Sequence, residues 1–412
     1  MRLLFTTFPE RPHFYPMVPL AWACMAAGHE VRMVSTPSLA ETTTRAGLPA
    51  VEVGHDLDLA AMLARGDFAP KRDVQAGTPE EQQRAAWSGM LENLANMQFA
   101  MCEAMVDDMV AYARSWRPDV IVHDPVTFAG PVTGQVLDVP TVAHMFGSPG
   151  LLRIEMKDLG SEPLPGFLRL FERFGVEPRV NPTEWIDPCP PSLRLSEDLA
   201  IRPAPTSLNR YQERFVPYNG PGSSPDWLFQ NTGRPRVCVT WGTTQERIMG
   251  ESVSDLVRRV VGVVASFDVE VVFAGSAELR RDLGDLPDNV RMVEWVPLHM
   301  LLPTCAAIVH QGGAGTTLTS AANAVPQLGI TEVPEPRISI EQLAATGAGH
   351  HLFPADTTAD RVREIVGGLL GDPAYGEAAR AVQDDIRRQP APAELVPVLE
   401  KLAGVDPGAG AR

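Results

Sequence analysis

Hydrophobic positions along the chain come in short runs separated by amphipathic stretches, an alternation that starts with the first residues. RLLFTT (residues 2–7) is apolar and β-branched and predicts a strand. After a loop rich in proline and charge comes MVPLAWACMAAGHE, in which Pro19 suits a first helical turn and Gly28 a C-terminal stop. VRMVST then predicts a second strand. Strand, helix and strand in so short a span make a βαβ unit, which implies a parallel sheet with helices on its faces. Further on, Asp119 to His123 (DVIVH) and Thr141 to Phe146 (TVAHMF) predict buried strands of the same half.

From about Gly150 to Asp226 the pattern changes. Prolines crowd WIDPCPPSLRL and VPYNGPGSSPDWL, so this stretch reads as a linker with irregular elements. The alternation resumes at Arg236 with RVCVTW, a helix near 252–266, VEVVFAG, RMVEWV, AAIVH, a helix from Gly315, and PQLGIT. The chain is therefore expected to be α/β, with two doubly wound Rossmann-like domains at 1–215 and 235–412 and a linker at 216–234. The last helix could return to the N-terminal domain. The polar stretch Gly66 to Gln83, ending in GTPEEQQ, reads as a lid or surface insertion leading into a helix.

Composition supports two domains, since 412 residues with 44% hydrophobic content exceed what one core organises. Asp plus Glu number 51 against 35 Lys plus Arg, a formal charge of −16 that repels nucleic acids and anionic membranes. A small nucleotide is still compatible, because amides at a helix start bind phosphate whatever the global charge. Cys24, Cys102, Cys189, Cys238 and Cys305 are scattered and never spaced C-x-x-C. They indicate neither a disulfide framework nor a zinc site and fit a reducing cytoplasm. The apolar run Leu3 to Phe8 is too short for a signal-peptide core, and no stretch is long enough to span a bilayer.

The most specific local pattern is His310-Gln311-Gly312-Gly313-Ala314-Gly315-Thr316-Thr317, between the strand AAIVH and a helix. Glycines let backbone approach a ligand, and the amides of a helix start attract an anion. It lacks the Lys of a Walker A loop and does not match G-x-G-x-x-G. A phosphate cradle and a packing turn both fit these eight residues. Asp56-Leu57-Asp58 spells D-x-D but precedes a predicted helix and reads as capping. His350-His351 are adjacent and would face opposite ways in a strand, so no metal site is expected. His13 lies in the loop after the first strand, where open α/β sheets present ligands, and imidazole is suited to removing a proton near neutral pH. Asp124 ends DVIVH at the same sheet edge, where it could cap a helix over 126–134.

The run VEWVPLHMLLPTCAAIVHQGGAGTTLTSAANAVPQLGI resembles the nucleotide-sugar signature of the family-one GT-B glycosyltransferases, in which W-x-P-x and H-x-G-G-x-G-T precede V-P-Q. VPLAWACMAAGHEVRMVSTPSLAETTTRAGLPAVEVG, IDPCPPSLRL and VPYNGP are similar to the actinobacterial branch that attaches deoxysugars to macrolides and anthracyclines. The resemblance runs nearly end to end. It implies two domains facing across a cleft, and metal-independent, inverting transfer of a deoxysugar from a nucleoside diphosphate, dTDP by preference, to an apolar polyketide-type acceptor. No cofactor is implied, the nucleotide sugar being a co-substrate. By the resemblance His13 is the base and Asp124 orients it. His310, with the amides of Gly313, Ala314, Gly315 and Thr316, contacts the diphosphate, and Thr243 lies near it. Trp295, Val296 and Leu298 hold the nucleobase, and Glu335 accepts from sugar hydroxyls. Phe14 and Met145 are apolar candidates for the acceptor side. One departure stands out: Glu335 is followed by Pro336, where the family has a polar neighbour. A nucleotide-sugar epimerase of similar fold and a binding-only homologue are the competing readings. A homodimer, and the monooxygenase-related helper protein that some of the branch require, are both compatible with the sequence.

Overall fold

The computed structural model describes residues 1–67, 78–150, 153–157, 162–195, 210–230, 233–242 and 252–405. Their strands form two wholly parallel sheets. The first contains β1 (Arg2–Thr6), β2 (Glu30–Ser35), β3 (Ala50–Glu52), β4 (Val120–His123), β5 (Thr141–His144), β6 (Glu184–Asp187) and β7 (Arg210–Gln212), in the order 3-2-1-4-5-6-7. The second contains β8 (Arg236–Thr240), β9 (Glu270–Ala274), β10 (Val290–Val293), β11 (Ala307–His310), β12 (Gln327–Ile330) and β13 (Gly349–Leu352), in the order 10-9-8-11-12-13.

Both faces of each sheet are covered, which is why the central strands are continuous apolar runs. Successive side chains point to opposite faces. Leu3, Phe5, Val31, Met33, Val120 and Val122 therefore meet the helix Val18–Ala26 on one side. Leu4, Val34 and Ile121 meet the helices Pro79–Trp116, Ala129–Leu137 and Pro165–Glu172 on the other. Pro19 stands in the first turn of Val18–Ala26, and Gly28 follows its end. In the second domain Val237, Val239, Val271, Phe273 and Val309 pack under the helices Ser252–Ala265 and Ala359–Gly371. The helix Pro392–Leu402 leaves the second domain and packs on the first through Leu395, Val396 and Leu399. Each such buried side chain contributes roughly 1.5–3 kcal/mol.

The proline-rich stretch is more regular than its sequence suggests. It supplies the helix Pro165–Glu172 and the strands β6 and β7, which extend the first sheet in parallel register. Buried Asp187 at the end of β6 takes ion pairs from Arg194 and Arg210 and ties the loops there. The helix predicted after GTPEEQQ spans 38 residues, Pro79–Trp116, while residues 68–77 of the expected insertion lie outside the described part.

Strand order reverses between β1 and β4 in one sheet and between β8 and β11 in the other. At such switch points the loops beyond the strands' carboxyl ends diverge and open a crevice. The two crevices bring together the loops that carry His13 and Asp124 on one side and the glycine-rich turn on the other.

Candidate active site

Thr6 pairs with His123 in register, so the loops after β1 and β4 leave the sheet at one level. His13, in the short helix Arg11–Phe14, thereby comes beside Asp124, with its Nδ1 3.3 Å from Asp124 Oδ1. Asp124 is fully enclosed and also accepts from the amides of Phe8 (2.9 Å) and Val126 (3.0 Å) and from the Thr127 hydroxyl. Burial pushes this carboxyl up, but the His13 charge and the bonds from His13, Thr127 and Phe8 outweigh it and hold the group below its ordinary range. An ionised carboxylate only accepts, so the His13 proton sits on Nδ1 and Nε2 is left as a base. The helix that follows begins at Ala129 with Phe128 at its N-cap, so Asp124 ties the 124–127 turn and does not cap that helix. The His13 ring is 21% exposed and is flanked by Phe8 and Phe146, with ring centroids 5.3 and 4.8 Å away.

In the second domain Thr240 pairs with His310, which aligns the loops after β8 and β11 in the same way. Gly312 turns the chain at φ +85°, and a Cβ there would come within 3.0 Å of the Pro336 carbonyl oxygen, so only glycine fits. Gly313 is the N-cap of the helix Ala314–Ala322, and Thr317 N–H is the first to bond back, to the Gly313 carbonyl. The amides of Gly313, Ala314, Gly315 and Thr316 have no helical carbonyl behind them and form an electropositive end. His310 is fully buried behind this turn. Its Nδ1 accepts from Gly312 N–H (3.0 Å) and its Nε2 lies 2.9 Å from Gln327 Oε1. Burial lowers its pKa to about 4, against a raising effect of the Gln327 bond. The imidazole is therefore neutral, and both ring nitrogens are engaged inside the protein.

The remaining expected positions divide. Glu335, in the first turn of Pro334–Ala345, accepts from Ser339 Oγ (3.2 Å) in its own domain and lies near Ser148 of the other. Burial raises its pKa, against the lowering effects of Ser339, Ser148 and His13. This carboxyl thus stands where the two lips of the cleft approach each other. Trp295 is 43% exposed, its indole N–H donates to Pro221 O (2.9 Å), and the Arg11 guanidinium lies 5.1 Å from its ring centre. Val296 is buried beneath it, and Leu298 opens the helix Leu298–Leu301. Thr243 lies outside the described residues. Phe14 is fully enclosed with Leu3, Phe5 and Met17, so it is a core residue and not part of an acceptor surface. Met145 is buried against Ala143 and Trp185. One of the two rings that flank the base is Phe146, half-buried one position further along. Ser148, Arg11 and Gln327 were not singled out from sequence; each acts through a contact between segments far apart in the chain.

Asp56 accepts from Thr36, Ser38 Oγ and Ser38 N–H, and Asp58 caps the helix Leu59–Ala64, so the D-x-D is a pair of turn-holding carboxylates. His350 bonds Tyr375, whereas His351 bonds the Thr331 carbonyl. Among the described residues no three His, Cys, Asp or Glu side chains are grouped to hold a metal ion. None of their helices is long and apolar enough to cross a membrane. The domains meet closely at Gly147 (φ +95°), where a Cβ would come within 2.4 Å of Leu318 Cδ1.

Two facing parallel-sheet domains, with a His–Asp pair on one lip and a glycine-lined helix start on the other, define a GT-B glycosyltransferase. Solved structures agree. The glycosyltransferase VinC, crystallised with dTDP, is 33% identical and superposes with a TM-score of 0.80 over 98% of this chain and 100% of its own. The spinosyn forosaminyltransferase SpnP is 32% identical with a TM-score of 0.79 over 98% and 99%. The chain belongs to the erythromycin biosynthesis protein CIII-like family, whose N-terminal domain profile matches residues 22–242 and C-terminal domain profile residues 258–402. Its relatives include the 10-deoxymethynolide desosaminyltransferase of Streptomyces venezuelae, 36% identical over 98% of this chain and 97% of that protein. The aklavinone 7-beta-L-rhodosaminyltransferase of Streptomyces galilaeus is 38% identical over 98% and 96%.

Proposed function

We propose that this glycosyltransferase moves a deoxysugar from thymidine diphosphate to a hydroxyl of an apolar polyketide-type aglycone, with inversion at the anomeric carbon. The observation that carries the reading is the His13–Asp124 pair, which engages Nδ1 of the imidazole and leaves Nε2 to act as a base, together with an electropositive helix start at the switch point of the other domain. The acceptor hydroxyl gives its proton to Nε2 as its oxygen bonds the anomeric carbon. The bond from that carbon to the diphosphate oxygen breaks on the opposite side, and the electron pair leaves with the diphosphate. Asp124 stabilises the imidazolium, while the amides of Gly313 to Thr316 stabilise the leaving charge. A single displacement of this kind inverts the centre. Fixed amides and a helix dipole neutralise the departing diphosphate, so the reaction takes no divalent metal and no cofactor. The desosaminyl- and rhodosaminyltransferase relatives support the sugar and aglycone class, and the dTDP complex of VinC supports the nucleotide.

The test is release of thymidine diphosphate from a dTDP-deoxysugar with and without a polyketide aglycone. Release that depends on the aglycone, with an inverted glycoside as product, supports the reading. A change in the sugar without any acceptor identifies an epimerase instead, and donor binding with no turnover identifies a binding protein.

A further inference from the structure

Gln327 is a polar side chain with no exposed surface, on an interior strand of the second sheet, β12. Burying an amide costs free energy unless its donor and acceptor are both matched, so its partners are informative. It pairs in register with Ile308, which places it diagonally beside His310 on one face of the sheet. Its Oε1 lies 2.9 Å from His310 Nε2, and its Nε2 donates to the Thr317 carbonyl at 3.0 Å. At the other ring nitrogen, Gly312 N–H donates to Nδ1 at 3.0 Å, and the Thr317 hydroxyl donates to the Gly312 carbonyl at 3.3 Å.

The polarity of this chain of bonds is fixed at both ends by backbone. A peptide N–H can only donate, so Nδ1 of His310 is bare and the ring proton is on Nε2. That proton needs an acceptor, so the Gln327 oxygen faces it and the Gln327 nitrogen faces Thr317, whose carbonyl can only accept. We infer that Gln327 is a positioning residue for the diphosphate site. It holds neutral His310 in the Nε2–H form, and His310 in turn holds the Gly312 peptide so that the amides beyond it face the cleft. His310 acts from behind the cradle, and the contacts to phosphate are made by the amides of Gly313 to Thr316. The inference rests on the proposal that this helix start receives the donor diphosphate.

Two measurements test it. In protein labelled with ¹⁵N-histidine, with the His310 signals assigned by their loss in His310→Asn, the ring nitrogens report the tautomer without any ligand. A protonated Nε2 and bare Nδ1 are expected; the opposite tautomer overturns the inference. Titrations of Gln327→Leu with thymidine diphosphate and with thymidine then read the cradle. Loss of this support is expected to weaken the diphosphate about tenfold while leaving the nucleoside unchanged. Unchanged diphosphate affinity, or equal losses for both ligands, overturns the positioning role. If the unmutated protein binds thymidine diphosphate no better than thymidine, the diphosphate reading itself falls, and the tautomer measurement still decides the network.

Discussion

Replacing His310 by Asn should make the fold less sensitive to acid. The buried imidazole titrates at about 4, whereas in the unfolded chain it titrates near 6.5. The folded value is the lower one, so between these pH values the unfolded chain binds the extra proton and stability rises with pH. The native state is unpenalised above 6.5, and the penalty grows as pH falls towards 4. Linkage between the two values gives a loss of about 2 kcal/mol on going from pH 7.5 to pH 5, and about 3 kcal/mol once both forms are protonated. Urea unfolding at pH 7.5, 6 and 5 measures this directly. His310→Asn should start less stable at pH 7.5, because Gly312 and Gln327 lose their partner, but should lose about 2 kcal/mol less than the parent by pH 5. His123, also buried with a lowered pKa, is present in both proteins and cancels in the comparison. Parallel pH dependences would show that His310 is not held neutral in the fold.

His13→Ala should lower turnover on the order of a hundredfold or more while leaving thymidine diphosphate affinity intact, as kinetics beside calorimetry would show. Normal turnover with a hydroxyl acceptor would remove His13 as the base. Glu335→Ala should weaken a dTDP-sugar by roughly 1.5–3 kcal/mol but bare thymidine diphosphate far less, since the family resemblance assigns its carboxylate to sugar hydroxyls. Equal losses for the two ligands would take Glu335 out of the sugar site. Excess EDTA should leave the rate unchanged, because protein amides are proposed to stabilise the leaving group; a stalled reaction restored by Mg²⁺ would refute that account.

Legibility in the sequence followed the range of the forces involved. The βαβ alternation, Pro19 and Gly28 at the ends of one helix, and the glycine turn after β11 are local signals, and the structure has them where the pattern implies. That His13 and Asp124 share one sheet edge was legible from sheet logic, since both follow strands that neighbour each other, while their pairing as base and orienting carboxylate came from the family resemblance. The strands β6 and β7 were hidden because runs of four and three residues among prolines carry little periodicity. Phe14 and Phe146 are equally apolar in sequence, and only the tertiary fold puts Phe14 in the core and brings Phe146, in the loop after β5, against His13. Gln327 stands seventeen positions from His310, and its role depends on two strands lying side by side. The approach of Ser148 to Glu335 depends on how two domains meet.

The return of Pro392–Leu402 to the first domain bears on how such enzymes can be recombined. The N-terminal core is finished by a segment synthesised after the whole of the C-terminal domain, so on the ribosome the first domain must wait with the surface around Leu20 and Cys24 uncovered. A hybrid made by a single exchange in the linker would set a foreign helix on that surface. An exchange of residues 235–390 alone would keep Leu395, Val396 and Leu399 with the partners they fit, turning a two-piece splice into a cassette with two junctions.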